Sequence, residues 1–230
     1  MSRAGKITAA VLLLIAAASG LLILAGKSAY AAGESALEEV RLAMDAAGLC
    51  EEAGVYGKTE RKESGDPGSQ PGKELRQEAA KQREPQLPEE LFGRLGISEI
   101  GLDLPVMRPP EEEPEKYLFL GPDGRKSVYG SVYTDPTADF ASDTLILYGH
   151  HMKNGAMFGS IETLGAAAQA VLIAPEGIRT YRFTEKFTVT PEDREALEAL
   201  SLPAEKRRLV LVTCAYERPD ERLIVLFEEP

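Results

Sequence analysis

Cys214, His150 and Arg222 are the residues of this chain whose types and settings could do covalent chemistry. Cys214 directly follows the apolar run LVLVT, Leu209 to Thr213. His150 and His151, the only histidines, directly follow TLILYG, Thr144 to Gly149. Arg222 opens the last apolar run, Leu223 to Phe227. A cysteine and a histidine at the ends of two buried strands can meet if those strands are neighbours. Together they make a thiolate nucleophile and a general acid/base, and a nearby guanidinium can hold the oxyanion of a tetrahedral intermediate. Each residue also has a plainer reading. A lone cysteine after a strand is often a small apolar filler. Arg218, in the loop Glu217 to Asp220, competes for the guanidinium role, but Arg222 begins a strand and is held more rigidly. Neighbours on an extended chain point opposite ways, so His151 is expected to face away from Cys214 into solvent. Two adjacent histidines without further ligands make a poor zinc site, so no metal and no cofactor is expected.

The elements that must position these residues lie between Leu87 and Pro230. Short apolar runs bounded by turns predict strands over Ile97–Met107, Tyr117–Leu120, Ser127–Tyr133, Thr144–Tyr148, Val171–Ala174, Arg179–Val189, Leu209–Thr213 and Leu223–Phe227. Gly121-Pro122-Asp123-Gly124 and Pro175-Glu176-Gly177 read as turns. Helices are expected over Met157–Leu164 and Pro191–Leu200, the second opened by Pro191 with Glu192 and Asp193 behind it. Pro88 to Phe92 reads as a brief helical turn. About eight strands with short connections and few helices predict a mainly β fold, an antiparallel or mixed barrel.

The chain has 230 residues, 43% of them hydrophobic, and a formal charge of −11. That balance argues against nucleic acid as a partner, which requires clustered Lys and Arg. Ile7 to Ala25 carries no charge, and Arg3 and Lys6 precede it. At about 1.5 Å per residue the run is long enough to cross a hydrocarbon core of about 30 Å. The positive-inside rule then puts the N-terminus in the cytoplasm and all that follows Lys27 outside. A cleaved signal peptide competes, with Ala29-Tyr30-Ala31 as a cleavage site, but the run exceeds the usual signal core. Glu34 to Ala47 has helical spacing, with Ser35 and Glu38 as a capping box. Glu51 to Glu84 is rich in Gly, Pro, Ser, Lys and Glu and cannot bury enough surface to order itself. The expected organisation is an N-terminal transmembrane anchor over 1–27, an extracellular stalk, helical and then disordered, over 28–86, and a catalytic domain over 87–230. Cys50 reads as an incidental thiol at the end of the stalk helix, with a disulfide-linked dimer as the alternative.

Three motifs in order carry a family resemblance. TLILYGHHMKNGAMFGSI, Thr144 to Ile161, is similar to the histidine segment of class B sortases. LVLVTCAYE, Leu209 to Glu217, resembles the TLxTC motif of the sortases. Arg222, eight positions after Cys214, falls where that family carries its arginine. LDLPVMRPP, Tyr117-Leu118 and Gly130 to Tyr133 resemble its first strands, and the likeness runs over about Ile97 to Phe227. It implies a sortase-type eight-stranded β-barrel in which His150, Cys214 and Arg222 are catalytic and Thr213 contributes a hydrogen bond to substrate. The implied enzyme is a cysteine transpeptidase on the outer face of a Gram-positive cell membrane. It would cleave a C-terminal sorting motif of exported surface proteins or pilins and pass the acyl product to an amine of a cell-wall precursor or a pilin. Two other classes stay open: an exported cysteine hydrolase, and an inactive membrane-tethered binding module. One departure stands out. Only Thr188 to Lys206 fills the connection where class B members carry a longer insertion beside the substrate groove, which bears on substrate preference.

Overall fold

The computed structural model describes residues 26–48, 87–190, 192–193, 196, 200, 205–216, 218 and 220–230. The apolar run 7–25, Cys50 and the polar tract 51–84 lie outside them, as does most of the helix expected over Pro191–Leu200. Eight strands are present: β1 (Leu91–Ile97), β2 (Leu102–Met107), β3 (Val132–Thr134), β4 (Thr144–Tyr148), β5 (Gln169–Ala174), β6 (Gly177–Val189), β7 (Arg208–Cys214) and β8 (Arg222–Glu228). They close into a barrel in the order β1-β2-β3-β4-β7-β8-β6-β5. The β2–β3 and β4–β7 pairs are parallel and the others antiparallel, so the barrel is mixed. Closure removes the unpaired edges that an open sheet would expose.

Alternation along the strands sorts residues to two faces. Leu145 and Leu147 of β4, Leu209 and Leu211 of β7, and Leu223, Val225 and Phe227 of β8 fill the interior with Phe158, Ile161 and Tyr181. Val210, Ile224 and Leu226 point outward, where Val189, Leu200 and Ala196 cover them. β7 and β8 are apolar on both faces for this reason, a pattern that marks strands covered on both sides.

Four expectations need correction. Leu91–Ile97 is a strand, where Pro88–Phe92 suggested a helical turn. A register shift between Leu91 and Gly93 breaks the period of two, so its interior residues Phe92, Leu95 and Ile97 are unevenly spaced. Lys116–Leu118 is a 3-10 turn, not a strand. Ser127–Tyr133 yields only β3 at its end: Gly130, at φ 58°, brings its backbone so close to the Leu118 carbonyl that a Cβ would sit 2.5 Å from it. Met157–Leu164 is a chain of turns ending in the 3-10 turn Ile161–Thr163, because Met157 lies at φ 51°, off the helical path.

The helix α1 (26–46) lies against the barrel. Gly33, Leu37, Val40 and Met44 recur at intervals of three or four and form its inner stripe. Val40, Ala43 and Met44 are buried, and side chains of the size of Val40 and Met44 contribute about 1.5–3 kcal/mol each when fully buried. Arg94 of β1, itself buried, binds Asp103 through Nε and Nη2 at 2.6 and 2.7 Å and reaches Asp45 of α1. This helix, assigned by sequence to the stalk, is thus packed onto the barrel. None of the described helices is long and apolar enough to cross a membrane.

Two constructions hold the segments around His150, the loop after β4 and the turn before β3. In the loop after β4, a Cβ on Gly149 would meet the Phe158 ring at 2.8 Å, and one on Gly159 would meet the Met152 carbonyl at 2.1 Å. The GxMFG run is therefore a steric requirement of the loop that carries His150. On the other side, Glu90 accepts two bonds from Lys116 Nζ, at 2.7 and 2.8 Å, and one from the Tyr117 hydroxyl. Burial pushes the Glu90 carboxyl up, but these hydrogen bonds and the Lys116 charge outweigh it and leave the carboxyl below its usual range. Burial, then the bond to Glu90 and its charge, push the Tyr117 hydroxyl well up.

Gly159→Ala is expected to lower stability by about 1–3 kcal/mol, the range for overpacking, seen as a lower urea midpoint. The Glu90 tie contributes stability that is complete above the carboxyl's unfolded pKa of about 4.3 and is lost as pH falls through its lower folded value. Urea midpoints measured on either side of that window should therefore fall more steeply with acid in the native chain than in Glu90→Gln.

Candidate active site

The parallel pairing of β4 with β7 sets Tyr148 beside Val212, and the Gly149 N–H continues the ladder to the Val212 carbonyl at 3.1 Å. Parallel strands end at the same side of a sheet. His150, just past β4, and Cys214, the last residue of β7, therefore come to the same end of the barrel. β8 runs back antiparallel, and its first residue, Arg222, is the register partner of Cys214. Residues directly opposite in such a pair have Cβ atoms about 4.5–5.5 Å apart. Parity puts Cys214 and Arg222 on the outward face with Val212, Val210 and Ile224. Cys214 is a free thiol, half-buried.

His150 is oriented by main chain. Its Nε2 lies 2.7 Å from the Leu118 carbonyl oxygen. A carbonyl can only accept, so Nε2 carries the proton, and Nδ1 is the nitrogen left to exchange one with a reactant. The Leu118 carbonyl belongs to the 3-10 turn tied down by Glu90, so β1 and the turn before β3 jointly aim the imidazole. The exposed Phe119 ring stands 6.0 Å from the His150 ring. His151 is half-buried. Its ring packs 5.3 Å from that of Tyr216, and its Nδ1 is buried without a hydrogen-bond partner.

The two arginines differ. Arg222 is half-buried, and its Nη1 donates to the Glu221 carbonyl at 3.3 Å. Arg218 is exposed and engaged with the Glu221 carboxylate at 2.9 Å. Thr213 alternates with Cys214, so its side chain turns into the barrel, where it is 3% exposed and its hydroxyl has no partner.

Some neighbours of the site were not legible in sequence. The Leu118 contact is a backbone carbonyl and carries no side-chain signal. Tyr216 had one, since it lies two residues past Cys214. A cavity of about 240 Å³ at this end of the barrel is lined by Glu162, Thr188, Ala215, Tyr216, Arg218 and Leu223. Two of these residues, Ala215 and Leu223, directly follow Cys214 and Arg222 in the chain. The arrangement can do acyl transfer: a thiol nucleophile, an oriented imidazole and a cation for developing negative charge, at the mouth of a rigid barrel.

Residues 95–229 match the family model of the Sortase domain. Sortase B of Clostridium perfringens superposes with a TM-score of 0.55 at 19% identity, over 63% of this chain and 96% of that one. Sortase B from B. anthracis gives 0.50 at 21% identity, over 68% and 82%. A Staphylococcus aureus sortase B–substrate complex gives 0.51 at 18%, over 62% and 80%. No curated protein sequence matches. At these identities the superpositions speak for the fold, a closed barrel of the same kind. The family match, which spans more than half of the chain and takes in His150, Cys214 and Arg222, goes further: this chain belongs to the sortase family, the cysteine transpeptidases that act on sorting motifs.

Proposed function

We propose that the chain is a class B-type sortase in which Cys214, His150 and Arg222 carry the reaction. The observation that supports this most is the common end of β4, β7 and β8, which gathers the three residues at the barrel mouth. In the first step the Cys214 thiolate attacks the carbonyl carbon of a Thr–Gly-like bond in a C-terminal sorting motif. Arg222 holds the carbonyl oxygen as it becomes negative. The tetrahedral intermediate collapses, the C–N bond breaks, and the leaving amine takes a proton from His150. The product is a thioester on Cys214. In the second step an amine from a cell-wall precursor or a pilin gives up a proton to His150 and attacks the thioester carbon. A new amide forms, and the Cys214 sulfur leaves as thiolate. Splitting one hard step into two easier ones is the logic of covalent catalysis.

The setting fits the task. Residues 7–25 have the length and apolarity of a single membrane span, Arg3 and Lys6 favour an inside N-terminus, and the domain would then work outside the cell. Class B is supported by the GHHMKNGAMFGSI segment. β6 and β7 are joined through residues 190–207, a shorter connection than the insertion of class B members, and the preferred sorting motif has to be read by experiment.

Purified protein incubated with NPxTG-, NPxTN- and LPxTG-like peptides, with and without an amine nucleophile, tests the proposal. Amine-dependent product is expected from at least one peptide and is expected to vanish in Cys214→Ala. Arg222→Ala should lower kcat by about 10²–10³, as loss of one oxyanion donor does, whereas Arg218→Ala should leave it within a few-fold. Cleavage that ignores the amine would identify a hydrolase instead. Folded protein that turns over none of the peptides would favour a binding module.

A further inference from the structure

Three of the seven large apolar side chains exposed among the described residues, Tyr30, Phe119 and Val128, are 44%, 65% and 44% exposed and share one neighbourhood. The Tyr30 ring meets the Tyr129 ring edge-on at 5.5 Å, and Val128 directly precedes Tyr129. The Ser127 N–H donates to the Phe119 carbonyl at 3.0 Å. α1 closes on the same spot, since a Cβ on Gly33 would lie 2.4 Å from the Tyr129 ring and 3.1 Å from the Ser127 hydroxyl. Lys27, Arg125 and Lys126 stand exposed around this group, the Arg125 side chain by 85%. Asp123 lies 3.8 Å from Arg125, Glu34 accepts from the Tyr129 hydroxyl at 3.2 Å, and Glu39, Glu89 and Glu90 line a cavity with Pro122, Asp123 and Gly124 on the side of the turn away from Tyr30.

Two observations say what covers this patch. The first is where the chain leads. Ala25, the last residue of the apolar run, directly precedes α1, and Tyr30 is only five residues on, about 8 Å along a helix. A span ending there would deliver the patch to the lipid headgroups. The second is the chemistry. Aromatic rings beside Lys and Arg suit the headgroup layer, where the rings enter the interface and the cations meet anionic lipid.

We infer that Tyr30, Phe119, Val128, Lys27, Arg125 and Lys126 form a seat for an anionic lipid surface, which holds the active-site end of the barrel against the membrane. The inference rests on the reading of residues 7–25 as an anchor. It replaces a catalytic domain swinging on a flexible stalk with one docked by α1 and oriented by its own surface. Phe119 joins the two functions, with one side towards solvent and its ring 6.0 Å from that of His150.

The chain contains no tryptophan, so a single introduced one reports its own surroundings. The full chain carrying Phe119→Trp, Val128→Trp or, as a control, Ile178→Trp would be reconstituted into vesicles of phosphatidylglycerol or phosphatidylcholine with brominated acyl chains. Ile178 lies on β6, across the barrel from β3, and is 40% exposed. Trp at 119 and 128 should shift to the blue and lose emission to the brominated phosphatidylglycerol, while Trp at 178 should not. Arg125→Gln or Lys126→Gln should each lower the ratio of docked to undocked protein about five-fold, and salt should act in the same direction. If the chain floats with vesicles but Trp at 119 and 128 behaves like Trp at 178, the seat is overturned and the anchor stands. A chain that does not float with vesicles overturns both. Emission that shifts only with added sorting peptide assigns the patch to substrate, and emission that shifts only with protein concentration assigns it to a second copy. Either result overturns the lipid seat.

Discussion

The parallel pairing of β4 with β7 is the constraint on which the site depends. Both strands are short, and each ends at a residue that the chemistry needs or just before one. Parallel alignment brings those ends together, and the register Leu145–Leu209 through Tyr148–Val212 sets how closely. Antiparallel pairing of the same strands would leave His150 and Cys214 at opposite ends of the barrel, about 17 Å apart for five residues of strand. β8 then has to be antiparallel to β7, because only a returning strand starts where β7 stops. Arg222 owes its place beside Cys214 to that reversal. Closure of the barrel stiffens all three strands, since each is hydrogen-bonded on both sides.

Positioning within that frame is the work of loops under steric constraint. His150 is aimed by a main-chain carbonyl at Leu118, that turn is tied to the start of β1 through Glu90, and Gly130 passes too close to Leu118 for any side chain. On the other side, Gly149 and Gly159 permit contacts that a Cβ would forbid, and Met157 accepts a left-handed backbone. Such backbone strain costs on the order of 1–3 kcal/mol and persists only where surrounding packing over-determines it. Here Phe158 and Ile161, both fully buried, supply that packing. α1 adds a third support, with Glu34 and Asn154 of the histidine loop both bonded to the Tyr129 hydroxyl, at 3.2 and 3.3 Å. The helix thereby reaches the loop that carries His150.

Much of the fold was legible before any coordinates. β4, β5, β7 and β8 appear in the sequence within a residue or two of their ends, because their apolar runs are long, β-branched and bounded by turns. The misread elements share a cause. β1 has a bulge that upsets its alternation, and the segments 117–120, 127–131 and 157–164 are shaped by backbone approaches between residues distant in sequence. Local periodicity carries no record of such approaches. The assignment of Glu34–Ala47 as a helix was within reach of periodicity. Its docking was not, since the buried partner of Asp45 is Arg94, on a strand far along the chain.

The sequence by itself determined the chemistry available: one cysteine in the domain, a histidine pair and an arginine, each at the boundary of an apolar run, in the order and spacing of a known family. It also settled a mainly β architecture, since apolar alternation is a local property. Only the tertiary structure decided which of these residues meet and how they face. It paired Cys214 with Arg222, left Arg218 to Glu221, turned Thr213 into the core and packed His151 against Tyr216. It also brought α1 onto the barrel beside Phe119 and Val128. The physical reason is that strand pairing and direction are long-range choices, made by the packing of a closed barrel, whereas residue type and period are written along the chain.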